Sequence, residues 1–84
     1  MPANYEQINA VLDSPDWTEG EKWVVKWQFG LLGHFARILA EAISRADMDN
    51  LSRLALGFPN EVAGYWAWAH GDLGKRLRKA GLPI

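Results

Sequence analysis

Along most of this chain the breakers of regular structure stand where a helix would begin or end, and between them the apolar residues recur every three or four positions. A strand would need alternation at every second residue, and no segment supplies it convincingly. The pattern predicts an all-α fold, a compact bundle of about five helices around a long central helix at about residues 18–46.

The first stripe is Tyr5, Ile8, Val11 and Leu12, with Asn4 available as N-cap. Ser14-Pro15 stops it, because proline disfavours helix in the residue before it, so the first helix is expected over residues 4–13. Thr18-Glu19-Gly20-Glu21 fits a capping box and should open the second helix. Beyond it Val24, Trp27, Leu31, Phe35, Ile38 and Ala42 form one stripe, which Leu32, Leu39, Ile43 and Ala46 widen. That breadth predicts a central, buried helix. Gly30 and Gly33 interrupt it, each about 1 kcal/mol worse than alanine in a helix interior, so either another helix packs closely there or the helix kinks.

Asp47-Met48-Asp49-Asn50 offers caps for a short third helix carrying Leu51, Leu54 and Leu56, expected to stop with Gly57 as a left-handed residue. Pro59 suits the first position of a fourth helix, and Glu61 favours the positive end of its dipole; this helix should run to about His70 and Gly71. Asp72 is the expected cap of a last helix with Leu73, Leu77 and Ala80 inward, closed by Gly81 and Pro83. At 84 residues, with no linker or repeat, the chain reads as one domain, 1–84, with one core.

Composition narrows the function. Without cysteine there is no disulfide, thiolate nucleophile or cysteine-based zinc site, and a small fold lacking disulfides suits a reducing compartment. The start, MPANYEQINAVLDS, lacks the basic and apolar regions of a signal peptide, and no apolar run approaches the about 18 residues of a membrane span. A cytoplasmic protein with no membrane part is expected. Nucleophile-elbow, zincin, Walker and dinucleotide motifs are all absent, and Ser14, Ser44 and Ser52 have no acid–base pattern around them. His34 and His70 lack second ligands at metal-site spacing. The expectation is a protein that binds rather than catalyses, with no catalytic residue, metal or cofactor.

The aromatic residues and the charge distribution suggest where it binds. Five Trp, three Phe and two Tyr, with rings of about 150–250 Å² each, are many for so small an interior. Trp23 and Trp27 stand one turn apart and read as core packing or as an aromatic platform. Tyr65, Trp66 and Trp68 spread too widely around a helix to face inward together; Val62, Tyr65, Trp66 and Ala69 make the better inward stripe, which leaves Trp68 at its edge. The net charge of −1 argues against a domain-wide attraction to nucleic acid, yet residues 1–21 hold five acidic and no basic residues, while Lys75, Arg76, Arg78 and Lys79 crowd the last helix. The expected partner site combines Tyr65 and Trp68 with Lys75, Arg76, Arg78 and Lys79, facing a protein. Two alternatives stand beside it: non-specific nucleic-acid binding through the basic last helix, and a structural homo-oligomer whose acidic start meets a basic end. A helix-turn-helix is disfavoured, because EVAGYWAWAH offers no Arg, Lys, Asn or Gln to base edges.

The segments NLSRLALGFPNEVAGYWAW and GDLGKRLRKAGLPI resemble those of short helical proteins encoded by bacteriophages and prophages. The resemblance implies an accessory protein of the bacterial cytoplasm that inhibits or redirects host machinery, defence systems included. It assigns no role to any residue.

Overall fold

The computed structural model describes residues 5–84, which form α1 (Tyr5–Asp13), α2 (Glu19–Gln28), α3 (His34–Arg45), α4 (Met48–Gly57), α5 (Pro59–Ala69) and α6 (Leu73–Lys79). No strand occurs among the described residues, so the chain is all-α. The expected Asn4 cap lies outside them. At α2 the capping box forms in full: Thr18 Oγ1 accepts the Glu21 N–H at 3.1 Å, and Glu21 Oε1 accepts the Thr18 N–H at 2.9 Å.

The long helix expected at residues 18–46 is instead two helices. Gly30 has φ +70°, and two backbone bonds close around it, from its own N–H to the Trp27 carbonyl and from the Leu31 N–H to the Lys26 carbonyl. This is a Schellman terminus, which a left-handed glycine completes without steric cost. A side chain at Gly30 would touch nothing within 4 Å, so its conformation alone resists substitution. Gly30→Ala is expected to cost about 1–2 kcal/mol, the penalty of an L-residue in left-handed backbone, read as a lower denaturant midpoint with an unchanged slope.

Elsewhere the local chemistry follows the sequence with some corrections. Asp47 caps α4, its Oδ1 accepting the Asn50 N–H at 2.8 Å. Gly57 is not a left-handed terminator but the last residue of α4; Phe58, at φ −132°, ends α4 and opens α5, and Pro59 takes the first turn of α5. Gly81, at φ +98°, closes α6. Asp72 makes no side-chain cap and turns instead to Arg76.

The interior divides into two clusters. Ile8, Val11, Val24, Val25, Leu73, Leu77 and Leu82 make the first, and Leu39, Ile43, Leu51 and Val62 the second, with Trp23 packed against both. A single indole therefore joins what the sequence suggested would be one core. The central element is α5, which packs against α2, α3, α4 and α6. Its closest approach is to α2, where Gly20 and Gly64 meet backbone to backbone. Tyr5 and Leu56 lie exposed, as does Ala80, because α6 is too short to turn a third residue inward.

Candidate functional site

The break at Gly30 changes which side of α3 faces the core. Leu39 and Ile43 are buried against α4 and α5 with Ala46 half-buried beside them, and Leu32, just before α3, is half-buried too. The other row, expected to continue the inward stripe of α2, faces solvent: Leu31 is exposed, Phe35 is 67% exposed and Ile38 54%, and Ala42 is exposed as well. Single exposed apolar residues are ordinary, but three on successive turns of one helix face make a continuous stripe.

The stripe borders a groove between α3 and α4 with a volume of about 500 Å³. Its apolar walls come from Ala42 and Ala46 on α3 and from Leu54 and Phe58 on the α4 side. Phe58 is held by the second core cluster and lies with its ring centroid 6.2 Å from that of Phe35, so one ring is anchored and the other open. Arg45 and Arg53 are the charged residues lining the groove. Each pairs along its own helix, Arg45 with Glu41 at 3.0 Å and Arg53 with Asp49 at 3.3 Å, and all four side chains are largely exposed.

The residues expected to bind a partner are dispersed. Tyr65 is half-buried on the second cluster with its ring 6.4 Å from Trp27, whereas Trp68 is half-buried on the first cluster beside Gly74. The edge residue of α5 is Trp66, 43% exposed, with its ring 4.3 Å from His70. The assignment of Trp66 and Trp68 is thus reversed: beyond Asn60 and Glu61 in its first turn α5 carries no charged residue, so no polar face marked its orientation. Trp23 and Trp27, with centroids 5.9 Å apart, run on to Tyr65 as a row of half-buried rings that packs the α2–α5 seam rather than presenting an open platform.

Lys75, Arg78 and Lys79 are exposed on α6 and form no ion pair among the described residues, whereas Arg76, its side chain 42% exposed, is tied into the fold. Its Nη2 donates to Glu21 Oε2 at 2.5 Å and its Nε to Asp72 Oδ1 at 3.1 Å, and its guanidinium lies 5.6 Å from the Trp17 ring centroid. The acidic start and basic end meet here within one chain. Burial alone would raise the pKa of Glu21, which is 8% exposed, but the Thr18 N–H and the Arg76 guanidinium outweigh that and hold the carboxyl below its ordinary value. The hydrogen bond to Glu21 in turn raises Arg76.

A carboxyl whose pKa falls on folding stabilises the fold fully above its ordinary value, here near 4.5, and progressively less as pH drops toward the folded value. Glu21→Gln is expected to cost about 1–3 kcal/mol at neutral pH. Its melting temperature should also fall less steeply than that of the wild type between about pH 6 and about pH 3. Parallel thermal melts would show both.

Among the described residues no three His, Asp or Glu side chains gather as a metal set, and no helix is long and apolar enough to cross a membrane. No family model, curated protein or solved structure matches the chain significantly.

Proposed function

We propose that this chain is a small protein-interaction domain whose docking surface is the outer face of α3 together with the α3–α4 groove. The observation that carries the reading is the Phe35–Ile38–Ala42 stripe, turned to solvent by a dedicated helix terminus and continuous with an apolar groove. Covering Phe35 and Ile38 would contribute about 1–2 kcal/mol each from the area removed from water. With its small size and the absence of catalytic motifs, and in keeping with the resemblance to short phage proteins, the domain would act as an inhibitor or adaptor on a host protein in a bacterial cytoplasm.

This places the partner site away from Trp68 and Arg76, whose packing supports the fold. Substituting those two would test folding before it tested binding. The exposed Lys75, Arg78 and Lys79 support a second reading, non-specific contact with nucleic acid. Affinity capture from bacterial lysate at low and high salt separates the two. The proposal expects a stoichiometric protein that survives high salt on the wild type and is missing from Phe35→Gln. Nucleic acid eluted by salt from both chains would favour α6, and equal protein recovery on both would refute the α3 surface.

A further inference from the structure

The α3 face has a shape and a charge that select among partners. Its apolar surface follows α3 from Phe35 to Ala46, about 16 Å at 1.5 Å per residue, with the groove opening beside its last turn at Ala42, Arg45 and Ala46. Stripe and groove together make an apolar track about three turns long, enough for the apolar ridge of another helix. A compact small molecule would be better held by an enclosed cavity.

We infer that the occupant is an acidic amphipathic helix of a partner protein, with its apolar ridge along Phe35, Ile38 and Ala42 and its carboxylates meeting Arg45 and Arg53. This rests on the docking role proposed above and adds the chemistry of the partner. The groove's charged lining consists of those two arginines, with no carboxylate among the described lining residues. Their existing partners, Glu41 and Asp49, lie one turn back on their own helices in exposed pairs of the kind that contribute little and exchange readily. An incoming carboxylate can take a guanidinium in paired hydrogen bonds while apolar contacts exclude water around it. A second copy of the chain fits less well, because it would bring Arg45 and Arg53 together with their own partners Glu41 and Asp49, so association would only exchange existing pairs and add no new carboxylate. Phosphates would satisfy the arginines but leave the apolar stripe uncovered.

Gly57 supplies a clean probe. It lines the groove, a side chain there would meet nothing within 4 Å, and its φ is not positive, so both Gly57→Glu and Gly57→Gln keep the fold. The experiment is fluorescence anisotropy with two labelled helical peptides of about 16 residues, each with leucines along one face, flanked by glutamates in one and by lysines in the other. The glutamate peptide is expected to bind at least about tenfold more tightly than the lysine peptide. Gly57→Glu should remove most of that preference, Gly57→Gln should retain it, and Phe35→Gln should weaken both peptides.

Equal binding of the two peptides, lost in Phe35→Gln, would overturn the acidic partner while leaving the docking face in place. Binding that Phe35→Gln does not change would overturn both. Binding of neither peptide would overturn the acidic helix; sedimentation showing a dimer broken by Phe35→Gln would then assign the face to a second copy.

Discussion

Gly64→Ala should be among the most damaging single substitutions in this chain, lowering stability by about 2–4 kcal/mol even though alanine is the better helix former by about 1 kcal/mol. A Cβ at Gly64 would overlap the Gly20 carbonyl oxygen and stand 2.6 Å from its carbon; one at Gly20 would overlap the Asn60 carbonyl oxygen and stand 3.0 Å from the Gly64 nitrogen. These obstacles are backbone, so no rotamer change relieves them and α2 must move off α5. That movement would also loosen the row of Trp23, Trp27 and Tyr65 along the same seam. A domain of 84 residues has about 4–13 kcal/mol of stability in all, so the loss is a large share of it. Denaturant unfolding followed by helical circular dichroism is the check; a neutral or stabilising Gly64→Ala would mean that the two helices do not cross in contact.

Leu77→Ala is expected to cost about 2–5 kcal/mol. The residue is fully buried in the first cluster with Leu73 and Ile8, and α6 has only seven residues. Isolated helices shorter than about 12–15 residues are marginal in water, so α6 exists because Leu73 and Leu77 are packed. Truncating Leu77 therefore opens a cavity and loosens the helix that holds Arg76 on Glu21. The consequence is specific: in Leu77→Ala, the further cost of Glu21→Gln should shrink, a coupling that a double-mutant cycle measures. Additive losses would mean that the ion pair stands without the packing of α6.

The sequence carried the helix class and most of the boundaries, because these depend on local chemistry. The Thr18 capping box, the Asp47 cap, the Pro15 stop and the Pro59 start are all decided within one turn of chain. The break at Gly30 was local too, and its signal was present as a glycine following an apolar-periodic run. The continuous stripe from Val24 to Ala42 argued the other way, although it is shared by two separate helices. Once the helix is broken, the Leu31–Ala42 row no longer shares a face with Val24, so the candidate surface was hidden inside what read as core.

Non-local features were harder to reach. Nothing in periodicity says that Gly20 meets Gly64, although a mid-helix glycine has a conformational cost that close packing explains. The reversal of Trp66 and Trp68 has a related cause. A helix that packs against four others and carries no charge beyond its first turn has its orientation set by those neighbours rather than by an amphipathic pattern.

The central claim is that the outer stripe of α3 faces solvent in the free chain and is thereby available to a partner. Its most direct test is the stability of Phe35→Gln, measured by denaturant unfolding beside Ile43→Gln on the opposite face. Phe35→Gln should lie within about 1 kcal/mol of the wild type, the loss limited to its contact with Phe58, whereas Ile43→Gln, stripping a fully buried side chain and burying an amide, should cost more than about 3 kcal/mol. A loss of similar size for Phe35→Gln would place the stripe in the core and contradict the docking surface built on it.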